Sequence, residues 1–327
     1  MVAVAAGAAA AGDDREELTM ITHMKPLVRS VLPIAALIGL TAASSVAADT
    51  SPATFASADA GVRAIVAAAR ADDQAKLIAI LGPGSENLIS SGDPIQDRNA
   101  RQRIAAAAAQ RTRLETLPSG AVIAHLGSDD WPLPIPLVKD GTQWRFDTKA
   151  AQDEVLNRRI GRNELSAVDV CLVYVAAQRE HAHIERDYAR KLRSDAGKRD
   201  GLYWEDPTGE HPSPIGPLLA NASAEGYATD NTTDGARPYH GYFYRILTEQ
   251  GPHGPGGAKS YLKDGKMVGG FALIAYPAEY GSSGIMTFIV GPQGVVYQKD
   301  LGATTAEVGK STVAYDPDES WSPVRGD

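Results

Sequence analysis

Between residues 57 and 110 the apolar positions of the chain follow a helical period. The first stretch places four apolar residues at the i, i+3, i+4, i+7 spacing of a single buried helix face. These residues are Val62, Ile65, Val66 and Ala69. A second short helix is predicted around Leu77–Leu81, ending at Gly82, and a third over Arg98–Gln110. The first half of the chain is therefore expected to begin with helices.

After residue 112 the period changes to the alternation that is typical of β-strands. The four predicted strands are Arg113–Leu117, Ala121–Leu126, Leu133–Lys139 and Gln143–Thr148. The Asp140-Gly141 dipeptide between the last two suits a two-residue hairpin turn, because glycine accepts a positive φ. Helices followed by a meander of strands predict an α+β layer.

The second half of the chain repeats this order on a larger scale. A long helix is predicted over Arg158–Arg193, and a Gly/Pro-rich segment after it holds one short helix near Leu218–Ala224. The apolar stripe expected to be buried on the long helix consists of Leu165, Val168, Leu172 and Val175, with Cys171 on the same face. Four strand-like runs then lie between Tyr239 and Leu301.

These patterns predict the α+β fold class, with a domain boundary in the middle of the chain. The expected parts are an α+β domain over residues 52–155, a long helix packed on a second antiparallel sheet over 157–301, and a C-terminal tail over 302–327.

The N-terminal region has the three parts of a secretory signal peptide between residues 24 and 48. Lys25 and Arg29 precede an apolar run, and the small residues Val46 and Ala48 predict cleavage after Ala48. Residues 1–23 carry acidic side chains where a signal peptide needs positive charge, so we expect translation to start at Met24. The apolar run is shorter than the roughly 20 residues that cross a bilayer. The prediction is a periplasmic or secreted protein with no membrane span after cleavage.

Composition narrows the classes of function. Hydrophobic content of 43% and charged content of 22% are those of an ordinary globular protein. The net charge of −8 argues against nucleic acid as a partner, because a basic surface supplies most of that affinity. Cys171 is the only cysteine, so no internal disulfide is possible, and its apolar stripe predicts an inert buried thiol.

Candidate chemistry in the first half rests on residues on or beside the predicted strands. His125, Asp129 and Asp147 are the candidates for catalysis, with Asp130 beside them. A carboxylate or an imidazole in an apolar pocket can act as a general base when burial shifts its pKa. The alternative is that residues 127–130 form a solvated loop and Asp147 only ends a strand.

Candidate ligand contacts in the second half are aromatic. Tyr203 and Trp204 lie in the Gly/Pro-rich segment, where they either line a ligand site or pin a polar loop. His240, Tyr242 and Tyr244 alternate along a predicted strand, which would place them on one face suited to stacking on a glycan or a peptide. The alternative is a half-exposed strand that is rich in β-favouring tyrosine.

No motif for metal, phosphate or cofactor binding stands out. His181 and His183 are two residues apart on a predicted helix and point in different directions. The glycine-rich stretch at 250–257 lacks the Lys-Ser/Thr ending of a phosphate loop, and no Gly-x-Ser-x-Gly or His-Glu-x-x-His motif occurs. We therefore expect no metal and no cofactor.

Parts of the chain resemble known folds. The opening GVRAIVAAARADDQAKLIAIL and the closing PLVKDGTQWRFD of the first half resemble the cone-shaped fold of nuclear transport factor 2 and steroid isomerase relatives. That resemblance implies either a cavity enzyme or a non-catalytic binding module. The Asn163-Glu164 and Ala177-Gln178 pairs, with the strands that follow, look like the globular head of type IV pilins and pseudopilins. The first domain occupies the place of the pilin stem, so filament assembly through a stem is not expected.

A set of segments resembles one family across nearly the whole mature chain. They include ILGPGSENLISSGDP, NRRIGRNEL, GKRDGLYW, PYHGYFYRILT and GGFALIAYPAEYG, and they resemble the bacterial exported family known as domain of unknown function 2950, over about residues 52 to 324. The resemblance implies a protein of the Gram-negative envelope and carries no activity or catalytic residue with it.

Three hypotheses of function follow. The first is a non-catalytic interaction or assembly module with a protein partner in the bacterial envelope. The second is a hydrolase or isomerase that uses the cavity of the first domain. The third is a module that binds a glycan or a peptide through the tyrosine-rich strand.

Overall fold

The computed structural model describes residues 51–228 and 237–325. The predicted start at Met24 and the predicted signal peptide over 24–48 lie outside the described residues. Within the described ranges, no helix is both long enough and apolar enough to cross a membrane.

Four helices open the described chain, and three of them begin at a side-chain cap. Their bounds are α1 Ala58–Arg70, α2 Gln74–Leu81, α3 Glu86–Ile89 and α4 Pro94–Gln110. Ser57, Asp73 and Asp93 each accept a hydrogen bond from a backbone N–H in the first turn of α1, α2 and α4, at 3.1, 2.9 and 3.1 Å. α2 ends at Gly82, as predicted, with φ +88°. α4 begins earlier than the sequence pattern indicated, because Asp93 caps it and Pro94 occupies its first turn.

The first sheet is antiparallel and follows the helices. Its strands are β1 Thr112–Thr116, β2 Val122–Leu126, β3 Trp131–Pro132, β4 Leu137–Asp140 and β5 Gln143–Phe146. The order is β1-β2-β4-β5, with β3 also paired to β2. Asp140 pairs with Gln143 across the predicted hairpin, and Gly141 has a φ of +60°. α1 and α2 pack on this sheet around one apolar core that includes Val62, Leu81 and Leu126.

Helix α5 (Thr148–Glu185) links this layer to the second one. It begins and ends earlier than predicted, between the cap Asp147 and Arg186, whose φ is +67°. The predicted buried stripe is right in part: Val175 and Cys171 are buried and Val168 packs against the second core, whereas Leu165 and Leu172 are 70% and 46% exposed. The buried face also carries small residues and polar residues, and the polar side chains of Asn163, Tyr174 and Gln178 donate to backbone carbonyls. Its members include Asn163, Ala167, Cys171, Tyr174 and Gln178.

Between α5 and the last strands, the described residues form one further helix and several strands, most of them short. The bounds are α6 Gly216–Ala224, β6 Tyr242–Leu247, β7 Glu249–Gln250, β8 Lys259–Ser260, β9 Leu262–Lys263 and β10 Lys266–Met267. The remaining elements are β11 Ala272–Pro277, β12 Met286–Val290, β13 Val296–Asp300, a 3-10 turn Gly302–Thr304, α7 Thr305–Ser311, β14 Ala314–Tyr315 and β15 Ser322–Pro323.

The second large sheet is antiparallel in the order β15-β13-β12-β11-β6. This sheet and α5 form a second core. Its members include Tyr174, Tyr242, Leu273 and Phe288. The C-terminal segment returns to this sheet through β15, and Trp321 packs against the same core.

The α+β fold class is confirmed. The two apolar cores are separate, with one on each side of residue 155. α5 nevertheless runs through the predicted boundary and supplies Ala151 to the first core and Tyr174 to the second. The division into domains stays a prediction, and so does the likeness to a pilin head.

Candidate functional site

A cavity of about 810 Å³ lies between the first layer, α5 and the residues Glu225, Tyr227 and His240. Its floor is made of aliphatic side chains of α1, α2, α4 and the β3–β4 connection. Examples are Ile65, Leu77, Ile104, Leu133 and Ile135. Ile65 and Leu77 lie on the apolar faces with which α1 and α2 pack in the first core.

Five arginines line the cavity, and two of them are committed to the fold. Arg101 is buried and bonds to Asp72 (Nε–Oδ1 2.5 Å) and to the carbonyl of Ile89. Arg159 donates to the carbonyls of Asn87 and Leu88 and to Ser282 Oγ. Both guanidinium groups therefore act as struts between elements.

The other three arginines crowd together. Arg158 pairs with Glu154, one turn earlier on α5 (Nε–Oε1 2.5 Å). Arg162 uses only its Nε within the described residues, donating to the carbonyl of Arg158, and Arg103 on α4 has no ion pair there. Burial lowers the pKa of Arg162, and the neighbouring charges of Arg103 and Arg158 lower it further. The guanidinium nevertheless stays protonated at neutral pH. We call these three residues the arginine cluster.

At one end of the cavity three polar side chains form a hydrogen-bonded chain. Ser166 Oγ on α5 lies 2.7 Å from His240 Nδ1, and His240 Nε2 lies 2.5 Å from Glu225 Oε2. All three residues line the cavity. With Nε2–H donating to the carboxylate, Nδ1 is the unprotonated nitrogen that accepts the Ser166 hydroxyl hydrogen. We call this arrangement the Ser-His-Glu chain.

Asp93 forms hydrogen bonds with the residues next to His240 and so fixes the position of that turn. The carboxylate that caps α4 also accepts hydrogen bonds from Tyr227 Oη and from the backbone N–H of Gly241, each at 2.9 Å. Burial, together with the charge of Asp93, raises the pKa of Tyr227, so its hydroxyl stays a donor. His240 itself has a φ of +49°, and its ring stacks on Tyr239 with 4.1 Å between centroids. The ring orientation is therefore fixed by several contacts.

None of the three residues predicted for catalysis lines the cavity. His125 lies on the outer face of β2, because alternation places Val122, Ala124 and Leu126 inward. Its Nε2 contacts Glu115 Oε2 at 3.0 Å and its Nδ1 the carbonyl of Asp130 at 3.0 Å.

The two predicted carboxylates have positions that suit other roles. Asp129 is exposed in the loop after β2. Asp147 caps α5 by accepting from the N–H of Ala150. Asp130, next to Asp129, is paired with Arg113, which lowers the pKa of Asp130.

The predicted aromatic contacts are mostly enclosed. Trp204 is buried and donates its Nε1–H to the carbonyl of His211, and Tyr203 lies under the guanidinium of Arg193. Tyr242 and Tyr244 are buried in the second core, because inward positions of β6 face α5. Neither ring is exposed for stacking in this structure.

His240 lies in the turn before β6 rather than on the strand, and of all the predicted residues it is the one that lines the cavity. Its partners Ser166 and Glu225, and the arginine cluster, were not predicted. One signal was available: Arg158, Arg162 and Ser166 are spaced by four residues and so share one face of a helix.

The histidines of α5 do not form a metal site. His181 is buried with both ring nitrogens near backbone carbonyls, those of Asp187 and Arg199, at 2.8 and 2.9 Å. Across residues 51–228 and 237–325, no group of three or more histidine, cysteine, aspartate or glutamate side chains is placed to hold a metal ion.

A family model described as "Protein of unknown function (DUF2950)" matches residues 52–324. The chain therefore belongs to this family, as its sequence segments predicted. No curated protein and no solved structure matches the chain significantly.

Proposed function

We propose that this member of the DUF2950 family is an exported protein that binds an amphiphilic anion in its cavity. The observation that carries the proposal is the arginine cluster at the edge of an apolar cavity. Two of its guanidinium groups, those of Arg103 and Arg162, have no carboxylate partner within the described residues.

The size and lining of the cavity suit a small molecule. A volume of about 810 Å³ lies within the range of known ligand sites, about 300–1,000 Å³. The floor is aliphatic, so an apolar ligand body would remove it from water, at roughly 25 cal/mol per Å² of buried surface. A small hydrophilic anion such as inorganic phosphate would leave the floor wet.

The charge of the cluster selects the head group of the ligand. Guanidinium groups bind carboxylates and phosphates through paired N–H donors, and such charge-assisted bonds are stronger than neutral ones. The overall charge of −8 does not oppose this, because a local group of like charges in a cleft sets the potential there. The expected ligand has an acyl or aromatic body and one acidic group.

The location of the protein is part of the proposal. The predicted signal peptide and the predicted cut after Ala48 favour the periplasm of a Gram-negative bacterium or the outside of the cell. An envelope protein partner stays a separate hypothesis, and it requires no occupant for the cavity.

The direct test is to titrate the full chain with dodecanoate below its critical micelle concentration. Binding is measured by tryptophan fluorescence and by calorimetry. Trp131 lines the cavity and is 39% exposed, so it should report occupancy. We expect dodecanoate to bind at least about tenfold more tightly than dodecanol, which lacks the charge. Arg162→Gln should lower dodecanoate affinity about tenfold and leave dodecanol binding unchanged.

A matched pair of variants on α5 tests the cavity itself. Val155→Trp would place an indole ring inside the cavity and should weaken binding, whereas Leu165→Trp, on the exposed side of the same helix, should not. Equal affinity for dodecanoate and dodecanol, or unchanged binding in Val155→Trp, would contradict the proposal.

A further inference from the structure

The Ser-His-Glu chain has the connectivity of a nucleophile, a base and an orienting acid. The serine hydroxyl lies within hydrogen-bond reach of the imidazole, and the second ring nitrogen is held by a carboxylate. A nucleophile, an imidazole and a carboxylate joined in this order occur in serine-type acyl transfer on unrelated folds, and the arrangement is recognised by geometry rather than by position in the sequence. Here the two ring nitrogens are used in the opposite sense, with Nδ1 facing the serine and Nε2 facing the acid. The Ser-His-Glu chain opens into the cavity.

Three features distinguish the Ser-His-Glu chain from ordinary structural hydrogen bonds. Ser166 lies in the middle of α5, where a serine hydroxyl commonly bonds back to a carbonyl one turn earlier, yet its partner is the imidazole. His240 adopts a φ of +49°, a costly conformation for a non-glycine residue that the Asp93 and Tyr227 contacts maintain. The His240 side chain is also 25% exposed, so water can reach it.

Glu225 and the cluster complete the arrangement. The backbone carbonyl of Glu225 accepts a hydrogen bond from Asn99 Nδ2 at 2.8 Å, which ties the carboxylate-bearing residue to α4. Arg162 lies one turn before Ser166 on the same face of α5 and also lines the cavity. A cation beside the nucleophile can stabilise the negative charge that develops on an ester oxygen.

We propose that the protein is a serine esterase, in which Ser166 is the nucleophile, His240 the general base and Glu225 the positioning residue. The substrate class is an ester whose apolar part fills the cavity floor and whose acidic group meets the arginine cluster. This inference rests on the proposed function for the choice of substrate and adds the reaction.

The reaction balances without any cofactor. Ser166 Oγ bonds to the ester carbonyl carbon while its proton passes to His240 Nδ1. The bond from that carbon to the alcohol oxygen then breaks, and the alcohol leaves with the proton. Water next gives a proton to His240 and attacks the acyl-serine, which releases the carboxylic acid, and the proton returns to Ser166 Oγ. One ester and one water yield one acid and one alcohol.

The test uses the full chain with 4-nitrophenyl octanoate, which supplies the ester bond and the apolar part of the substrate without its acidic group, and with a fluorophosphonate as a covalent probe of the serine. We expect one fluorophosphonate per chain, at Ser166 by peptide mass spectrometry. Ser166→Ala should abolish labelling and lower hydrolysis to background, and His240→Asn, which tolerates a positive φ, should lower kcat about 10²–10⁴-fold. Ser223→Ala, an exposed serine of α6, is the matched control and should retain full activity.

The positioning role of Glu225 is tested by measuring kcat and KM separately. Glu225→Gln should lower kcat and the rate of fluorophosphonate labelling at least about tenfold with KM unchanged, because it acts only through His240. A residue that merely held the loop in place would change KM or stability instead. Circular dichroism and the unfolding midpoint of each variant show whether it is folded.

The outcomes separate the two proposals. Dodecanoate binding without fluorophosphonate labelling or Ser166-dependent hydrolysis would overturn the esterase and leave the binding protein. Ser166-dependent hydrolysis without dodecanoate binding would sustain the esterase and overturn the anionic ligand. Hydrolysis that survives in Ser166→Ala would also overturn the esterase.

Discussion

At the scale of single residues, Cys171 shows how burial decides reactivity. The thiol is fully buried under the second sheet, and desolvation raises its pKa to about 12. Thiolate is the nucleophilic form, so the folded protein should not react with an aromatic disulfide reagent at pH 8. The protein unfolded in guanidinium chloride should release one equivalent of the reagent's aromatic thiol per chain.

The neighbouring position supplies the control for this prediction. Leu172 is 46% exposed, so Leu172→Cys should add one rapidly reacting thiol while Cys171 stays protected. Fast reaction of the unmodified protein under native conditions would show that α5 separates from the sheet.

His253 and Asp316 are a second case, at the surface. Asp316 accepts a hydrogen bond from His253 Nδ1, and the negative charge of Asp316 lies beside the imidazole ring. Both effects raise the pKa of His253. A raised pKa in the folded state stabilises the protein at low pH. The contribution is complete below the unfolded pKa of about 6.5 and is lost as the pH rises through the folded pKa.

We therefore expect His253→Asn to lower the urea midpoint at pH 5.5 and to leave it almost unchanged at pH 9. His211→Asn, in an exposed loop, should show no such pH dependence. A His253→Asn effect of equal size at both pH values would contradict the ion-pair explanation.

At the scale of elements, Asp147 separates a capping role from a catalytic one. It begins α5 by accepting from the N–H of Ala150 and does not line the cavity. Asp147→Ala should lower the free energy of unfolding by about 1 kcal/mol. Asp153→Ala, exposed on the same helix, should change it by less than about 0.5 kcal/mol.

Activity and binding measurements on Asp147→Ala decide between the two roles. Hydrolysis of 4-nitrophenyl octanoate and binding of dodecanoate, measured per folded molecule, should be the same in Asp147→Ala as in the unmodified chain. A selective loss of kcat in this variant would restore the general-base hypothesis for Asp147.

Local signals predicted the elements well. The hairpin at Asp140-Gly141, the end of α2 at Gly82 and the burial of Cys171 each depend on residues within a few positions of one another. The buried face of α5 was predicted only in part, because the stripe also took in the large aliphatic residues Leu165 and Leu172, which are exposed. The buried face also includes Gln178, whose amide exchanges hydrogen bonds with the backbone of Ala189.

The candidate site depends on long-range contacts, which no local pattern contains. Ser166 and His240 are 74 residues apart, and His240 and Glu225 are 15 apart across a Gly/Pro-rich segment. The predicted strand alternation placed His240 with Tyr242, but the positive φ of His240 ends that alternation and turns the ring towards the cavity.

At the scale of the whole molecule, polar contacts join the two cores around the cavity. Gln96 on α4 and Asn163 on α5 are paired through their amides, with Gln96 Nε2 to Asn163 Oδ1 at 2.7 Å. Asp93 bonds to the His240 loop, and Arg159 connects α3 to Ser282. The same contacts that shape the cavity therefore couple the two halves.

This coupling predicts that both cores unfold together. Trp131 and Trp144 belong to the first half of the chain, and Trp204 and Trp321 to the second. Variants that keep only one pair, with the others changed to phenylalanine, report each core separately by fluorescence. In both variants the fluorescence midpoint in urea should coincide with the midpoint from circular dichroism of the same variant.

Arg159→Gln then tests the contact that carries the coupling. It removes a half-buried charge that donates to Asn87, Leu88 and Ser282, so it should lower both midpoints together, at a cost of about 2 kcal/mol or more. Arg158→Gln is the matched control, because its exposed pair with Glu154 contributes less than about 1 kcal/mol. If one tryptophan pair shifts in Arg159→Gln and the other does not, the cores unfold independently and α5 is a linker rather than a shared element.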